Sequence, residues 1–321
     1  MKLSVFSPVF NGNTLEEALM FLNKHGVKSI EMGTGGFPGT KHVNPDDYLN
    51  DDKKVDELLS LLKKYDVEIC ALSCHGNAIH PDKEIARKFH EDFEKTCKLA
   101  KKLGIETIIT FSGCPGGSKE DKTPNWITCP WPKDFSVSLD YQWNEVLIPY
   151  WKTASEFAKE YGIKKIAFEL HPGFCVYNPE TLLKLRSAVG DIIGANLDPS
   201  HLFWQGIDIN YAIRKLGDAI YHFHAKDTKI DDINTKTYGV LDTKTYADEI
   251  NRSWIFRTVG YGHSYDVWKD IISSLRLVGY NGAISIEHED TLMAPMEGLT
   301  KAIEFLKDVI IDGSTTDAWW V

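Results

Sequence analysis

The chain has 321 residues, and 36 Lys and Arg against 46 Asp and Glu give it a net charge of −10 at neutral pH. Hydrophobic residues make up 43% and charged residues 26%, which is typical of globular proteins and disfavours a disordered, collagen-like or coiled-coil chain. A net negative charge has the wrong sign for neutralising phosphates, so we expect no nucleic-acid partner.

The start of the chain lacks the pattern of an export signal, and no apolar run approaches the ~20 residues of a membrane helix. The six cysteines are scattered through the chain without a Cys-x-x-Cys pair, at positions 70, 74, 97, 114, 129 and 175. This distribution is typical of reduced thiols. We therefore expect a cytoplasmic protein with no membrane partner.

One pattern recurs along the chain: an amphipathic helix, a short Gly or Asp turn, and then a short apolar run. It predicts strands at residues 3–6, 29–32, 69–72, 107–111, 165–169, 193–198, 220–224 and 283–287. It predicts helices at residues 15–24, 55–64, 83–102, 143–161, 179–189, 211–216, 267–277 and 296–309. Glycines such as Gly104 and Gly162 stand where a helix is expected to end.

Strands that alternate with helices form a parallel sheet with helical crossovers, and eight such units in series most simply close into a barrel. The prediction is therefore an α/β chain with a single (β/α)₈ TIM-barrel domain over residues 1–321. An open doubly wound sheet is the alternative, but no Gly-x-Gly-x-x-Gly motif follows the first strand.

Three segments lie outside this pattern. Residues 114–141 and 227–266 are long connections that follow strands, so we expect both at the C-terminal face of the barrel, where barrel active sites lie. The tail, residues 312–321, ends in Trp319 and Trp320, which we expect to dock on the barrel bottom or on a partner subunit of a homo-oligomer.

Polar side chains close four successive strands of the predicted barrel: Glu169, Asp198, His224 and Glu287. Side chains alternate in a strand, so all four should point into the barrel mouth. Three carboxylates converging there would repel one another unless a cation lies among them. One divalent metal ion is the simplest cation; the oxygen-rich set favours Mn²⁺ first, then Mg²⁺, with Co²⁺ and Zn²⁺ also suitable. The alternative is ordinary ion pairing with Lys165, Lys226 or Arg257.

Four segments around these residues resemble strand-end motifs of the xylose-isomerase-like TIM-barrel sugar phosphate isomerase/epimerase family. They are residues 168–172 (FELHP), 196–201 (NLDPSH), 222–227 (HFHAKD) and 285–290 (SIEHED), and residues 73–77 (SCHGN) are similar to the same family. The resemblance implies that Glu169, Asp198, His224 and Glu287 bind a metal. It also implies that Glu169 and Glu287 are the catalytic acid/base pair, and that His201 contacts a substrate oxygen.

Further residues are candidates for substrate binding, each with a structural alternative. The ketose 3-epimerases of this family carry an arginine shortly after the seventh-strand histidine; residues 226–230 (KDTKI) lack it, and Arg257 from the long loop is the candidate replacement. His75 follows the third strand, where it is equally suited to contact with a substrate and to packing. Lys226 is either a cation beside the metal or an ion-pair partner of a carboxylate. Glu31 is either a hydrogen-bond acceptor for substrate or a partner of Lys2 or Lys28.

We expect two further histidines, His171 and His288, on the opposite, helix-facing side of the strands.

The leading function hypothesis is a metal-dependent isomerase or epimerase of a sugar or polyol, which acts through an enediolate. An inosose-type dehydratase on the same site is the alternative. A metal-dependent sugar-binding protein without turnover is the hypothesis from another class. A type IV-like abasic-site endonuclease ranks last, since it needs more histidines and a basic face.

Overall fold

The computed structural model describes residues 1–313, 316 and 318–321. Within them, eight parallel strands form a closed barrel in the order β1-β10-β7-β6-β5-β4-β3-β2. These strands are β1 Lys2–Phe6, β2 Ser29–Gly33, β3 Glu68–Ser73, β4 Thr107–Thr110, β5 Lys165–Glu169, β6 Ile193–Leu197, β7 Ile220–Ala225 and β10 Ala283–Ile286. The predicted single-domain TIM barrel is confirmed.

Helices connect the strands on the outside of the barrel. They are α1 Leu15–Lys24, α2 Pro45–Leu49, α3 Asp52–Lys64, α4 Lys83–Leu103, α5 Lys133–Asp140, α6 Ile148–Glu160, α7 Pro179–Val189, α8 Pro199–Phe203, α9 Ile209–Leu216, α10 Asp232–Tyr238, α11 Tyr265–Leu277 and α12 Pro295–Val309. The short helices α2, α5, α8 and α10 were not predicted. Three of them, α2, α8 and α10, have only five to seven residues and are too short to display a helical period.

The ends of the helices follow local chemistry. Thr14 and Glu17 form a capping box at the start of α1, in which Glu17 accepts from the Thr14 N–H at 2.7 Å and donates its own N–H to Thr14 Oγ1 at 3.2 Å. Gly104 ends α4 with φ +70°, a conformation that suits glycine.

The predicted helix over residues 143–161 is interrupted. A π-helical turn, Tyr141–Leu147, joins α5 to α6. Gln142 is buried in this turn, and its amide donates to the carbonyls of Pro115, Gly116 and Asn125. This turn therefore fastens the long connection after β4 to the helical layer.

The main hydrophobic core lies between the barrel and the helices, and it includes Leu72, Ile108 and Phe223. Inside the barrel, a smaller cluster of Ala71, Ile109 and Ala167 forms a separate layer. The register pairs Glu169 with Asn196 and Ser285 with His224, so polar side chains reach similar heights on adjacent strands.

The long connection after β7 contains a hairpin that the sequence did not reveal. Strands β8 Asp227–Ile230 and β9 Trp254–Arg257 pair antiparallel, outside the barrel. The buried Asp227 carboxylate fixes the turn between β9 and α11, since it accepts hydrogen bonds from the backbone of Gly260, Gly262 and His263 and from Trp268 Nε1. Both strands lie within the long connection, outside the recurring pattern of helix, turn and apolar run that predicted the barrel strands.

The end of the chain differs from expectation where it is described. Trp319 and Trp320 are 83% and 69% exposed, so they do not dock on the barrel bottom. Docking on a partner subunit stays a prediction, and residues 314, 315 and 317 of the predicted tail lie outside the described part. None of the helices among the described residues is long and apolar enough to cross a membrane.

Candidate metal centre and active site

The four residues Glu169, Asp198, His224 and Glu287 meet at the C-terminal mouth of the barrel, and we call them the four-residue centre. Each offers one ligand atom, and these atoms lie within 4.8 Å of one another. Glu169 ends β5 and His224 lies near the end of β7. Asp198 caps α8 with Oδ1, which accepts from the Ser200 N–H at 2.8 Å, and this leaves Oδ2 for the centre.

Lys226 is fully buried against this centre. Its Nζ lies 3.1 Å from Asp198 Oδ2, 2.7 Å from Glu287 Oε2 and 2.9 Å from Glu289 Oε2. Burial opposes the charge of Lys226, but the surrounding carboxylates raise its pKa well above the usual value. Burial also disfavours ionised Glu287, yet the Lys226 charge brings its pKa down to about 2.

Two imidazoles flank Glu169. His201 Nε2 lies 2.9 Å from Glu169 Oε1, and His75 Nε2 lies 3.0 Å from Glu169 Oε2. Burial lowers the pKa of His201 to about 3, so this ring is neutral at physiological pH. Burial opposes ionisation of Glu169 too, but the hydrogen bond with His201 and the neighbouring imidazoles of His224 and His75 hold its pKa well below the usual range.

Glu31 lies inside the barrel and is fully buried. Both of its oxygens accept from protein donors: Ser73 and Ser285 through their hydroxyls, and His222 and His224 through Nε2. All of these partners belong to the protein, and contact between Glu31 and a substrate stays a prediction. Burial opposes its ionisation, but the charges of His224 and His222 hold its pKa well below the usual range.

The four-residue centre fits a divalent cation. Three carboxylates and one imidazole match the ligands that Mn²⁺ and related ions take in proteins. Asp198 Oδ2 is buried, and among the described residues no group, Lys226 included, lies in hydrogen-bond geometry to it. Burial raises the pKa of Asp198 to about 7, which is the behaviour of a carboxylate without enough positive charge around it.

A cavity of about 380 Å³ opens beside His201. Its walls are mainly aromatic and come from several loops: Trp126, Trp204, Tyr246 and Trp254, together with His171. Trp204 and Trp254 stack with ring centroids 4.7 Å apart. Part of the wall comes from the long connection after β7, which therefore lines the cavity beside His201: Leu241, Asp242, Thr243, Tyr246 and Trp254.

His171 and Arg257 lie in different surroundings. His171 was expected on the helix-facing side, but its ring lies 4.1 Å from that of His201 and lines the cavity. It follows Glu169 by two residues, and a spacing of two returns a side chain to the same face. Arg257 Nε donates to Asp290 Oδ2 at 3.0 Å and does not line the cavity, so its contact with substrate stays a prediction.

Sequence reasoning gave no role to several residues that lie here. Glu289 pairs with Lys226, and Tyr246 and Trp254 bring aromatic walls from the long connection. His222 donates to Glu31 at 2.9 Å. His222 and His224 lie two residues apart in one strand and share a face, and this was a usable sequence signal for His222. Nothing in the local sequence of Tyr246 indicates where its loop folds back.

The chain belongs to the xylose isomerase-like TIM barrel family, whose model matches residues 19–309. The protein YfiH of Bacillus subtilis strain 168, named as uncharacterized, is 41% identical over 312 residues, covering 97% of this chain and 99% of that protein. An inosose dehydratase of Mesomycoplasma hyopneumoniae strain J is 24% identical over 286 residues, with 87% of each chain covered.

Solved structures share the fold over the whole length. The IolI protein, described with a bound zinc atom, aligns with a TM-score of 0.67 at 21% identity, covering 97% of this chain and 98% of that one. A D-tagatose 3-epimerase-like protein aligns with a TM-score of 0.63 at 22% identity, covering 96% and 98% of the two chains.

Proposed function

We propose that this protein is a metal-dependent isomerase or epimerase that moves a proton at a carbon beside the carbonyl of a sugar or polyol. The observation that carries the proposal is the pair of glutamates around one imidazole. His224 Nδ1 lies 3.4 Å from Glu169 Oε2 and 3.2 Å from Glu287 Oε2. Two carboxylates at the ends of different strands can reach the same carbon from two directions.

Glu169, Asp198, His224 and Glu287 would hold one divalent ion, with Mn²⁺ as our first choice and Mg²⁺, Co²⁺ or Zn²⁺ as alternatives. When bound, such an ion supplies Lewis-acid polarisation of a substrate carbonyl. The relative described with zinc has the same fold, and this is compatible with a metal but does not select one.

The protein's own side chains carry the proton steps. One glutamate enters ionised and removes the proton beside the carbonyl to give an enediolate, and the other enters protonated and returns its proton to the opposite face or to the neighbouring carbon. His201 and His75 keep Glu169 ionised and oriented through both of its oxygens. Lys226 orients Glu287 at 2.7 Å, and its ammonium is an adjacent source of the proton that Glu287 carries. The aromatic cavity offers apolar walls to the carbon faces of a polyol.

Dehydration on the same site is the second candidate. Two observations favour it: a curated relative named inosose dehydratase covers 87% of the chain, and an ammonium donor, Lys226, lies against Glu287, where it could assist a leaving hydroxyl. A sugar-binding protein without turnover is the rival from another class. The abasic-site endonuclease ranks last because the net charge is −10. We also propose that the substrate is a small molecule without a phosphate group and that the protein is cytoplasmic.

The test is a screen of ketoses, inososes and sugar phosphates in heavy water, with the protein loaded with Mn²⁺. NMR follows exchange of the proton beside the carbonyl, and ultraviolet absorption follows the conjugated carbonyl product of dehydration. Glu169→Gln is the variant expected to be inactive. Glu156→Gln is the matched control, because the Glu156 side chain lies on a helix and is 72% exposed.

The proposal predicts exchange with at least one substrate, lost in Glu169→Gln and retained in Glu156→Gln. Exchange together with a conjugated product would select the dehydratase. Saturable sugar binding without exchange in the same panel would reject turnover and leave the sugar-binding protein.

A further inference from the structure

Glu31 is the buried acid in the middle of β2, and the proton-transfer scheme above gives it no task. It touches His224 on the side of the ring that faces away from the other carboxylates. His224 Nε2 lies 2.9 Å from Glu31 Oε2 and 3.1 Å from Oε1. Ser285 Oγ at 2.7 Å and His222 Nε2 at 2.9 Å occupy Oε2 as well.

These contacts decide which nitrogen of His224 can bind a metal. A carboxylate only accepts hydrogen bonds, so the nitrogen next to Glu31 must carry a hydrogen. Nδ1 also faces carboxylates, those of Glu169 and Glu287, but its hydrogen is the one that a metal among these ligands would replace, so the metal-bound ring keeps its hydrogen on Nε2 and presents Nδ1. Phe6 lies on the ring face, with centroids 5.3 Å apart and planes 30° apart, and so limits its rotation.

We infer that Glu31 is a positioning residue: it fixes the tautomer and orientation of His224 so that Nδ1 is presented as the metal ligand. The inference deepens the proposed function, since it rests on the proposed metal site. Carboxylates behind metal-binding histidines are worth roughly 10–100-fold in metal affinity, because they hold the ring and raise its basicity.

The experiment measures metal affinity directly rather than activity. Mn²⁺ binding is titrated by calorimetry, and Co²⁺ binding is followed by visible absorption, which reports the ligand geometry. In Glu31→Gln, the amide can donate to His224 Nε2 and so move the ring hydrogen to Nδ1. We expect the Mn²⁺ dissociation constant to rise roughly 10–100-fold and the Co²⁺ spectrum to change.

Asp290→Asn is the matched control. It replaces another buried carboxylate, which pairs with Arg257 and the Thr258 N–H and makes no contact with the four-residue centre. It should lower the melting temperature but keep the dissociation constant within twofold. Should Glu31→Gln not fold, Glu31→Asp keeps the charge but withdraws the carboxylate from both imidazoles, and the same loss of affinity is expected.

The outcomes separate the two proposals. Wild-type protein that binds no Mn²⁺ or Co²⁺ would overturn the proposed function together with this inference. Wild-type binding at one equivalent, with unchanged affinity and spectrum in a folded Glu31 variant, would overturn the inference alone. A loss of affinity in Asp290→Asn as large as in Glu31→Gln would mean that the effect is general destabilisation, and would also reject it.

Discussion

Glu169 and Glu287 are assigned two tasks, as ligands and as acid/base groups, whereas Asp198 is assigned one. At saturating Mn²⁺, we expect Glu169→Gln and Glu287→Gln to lose turnover by at least the ~10²–10⁴ that an acid/base group contributes, because an amide cannot remove a proton. Asp198→Asn should mainly weaken metal binding, so that excess metal restores activity. Steady-state rates against Mn²⁺ concentration check this. Equal rescue of all three variants would mean that the glutamates are ligands only.

Lys226 is a buried cation whose partners include two of the proposed ligands, Asp198 and Glu287. Replacing one partner of a buried ion pair leaves the other charge uncompensated, at a cost of about 3–5 kcal/mol. Lys226→Met should therefore lower the melting temperature strongly in protein treated with EDTA, and saturating Mn²⁺ should recover much of the loss, since a divalent ion also neutralises these carboxylates.

Lys236→Met is the control for Lys226→Met. Lys236 pairs with Asp232 at 3.1 Å on the surface, where both side chains are more than 70% exposed. Such a pair contributes about 0–1 kcal/mol, so little change is expected with or without metal. The measurement is the calorimetric melting temperature of both variants, with and without Mn²⁺. If Mn²⁺ did not reverse the fall in melting temperature of Lys226→Met, the electrostatic explanation would be contradicted.

At the scale of elements, the turn after β2 positions His75. Phe37 N–H donates to the His75 carbonyl at 2.8 Å, and a Cβ added to Gly36 would overlap that same carbonyl oxygen. Gly36→Ala should therefore push His75 away from Glu169, lowering both the melting temperature and the proton-exchange rate. Melting curves and exchange rates under the same conditions measure the two effects.

Gly39 in the same turn is a matched control for Gly36. Both glycines have left-handed backbones, with φ of +63° and +73°, but a Cβ at Gly39 meets open space. Gly39→Ala should carry only the conformational penalty of about 1–2 kcal/mol and keep the exchange rate. Similar losses of exchange in both variants would show that backbone strain, rather than the clash with His75, is responsible.

The hairpin connection depends on Asp242, whose carboxylate accepts from the Ser253 N–H at 2.8 Å and the Lys244 N–H at 2.9 Å. Burial opposes its ionisation, but these bonds lower its pKa from 3.8 to about 2. A lowered pKa gives stability that is complete above the unfolded value and is lost as pH falls from about 4 towards 2.

Hydrogen exchange of residues 239–254 therefore should accelerate selectively over that pH range, relative to the intrinsic rates. In Asp242→Asn, the same residues should exchange faster already at neutral pH, with no further response to acid. Mass spectrometry of the peptides is the measurement, and peptides from α4 are the internal reference. If hydrogen exchange in Asp242→Asn still accelerated in acid, the acid sensitivity would come from other carboxylates.

For the whole molecule, a ligand that binds the folded chain alone stabilises it by mass action. At free Mn²⁺ of about 100 times the dissociation constant, the gain is about 2.7 kcal/mol, which corresponds to roughly 4 °C in a domain of 321 residues. Removing the metal with EDTA should reverse the shift. The double variant Asp198→Asn/Glu287→Gln should show no shift; an equal shift there would place the ion elsewhere.

The sequence by itself determined the barrel and much of its mouth. The eight strands and most long helices were predictable because each repeats a local signal: an apolar period, a cap, or a glycine after a helix. The convergence of Glu169, Asp198, His224 and Glu287 was predictable too, because strand parity and parallel order place strand ends together.

Only the tertiary structure decided how these side chains divide their contacts. It placed Glu31 against His224, His171 in the cavity, Lys226 among three carboxylates and Arg257 against Asp290. The hairpin after β7 and its aromatic walls also became visible only there. The physical reason is that these contacts join residues far apart in sequence through long loops, and no local period records which of several possible partners a buried charge finds.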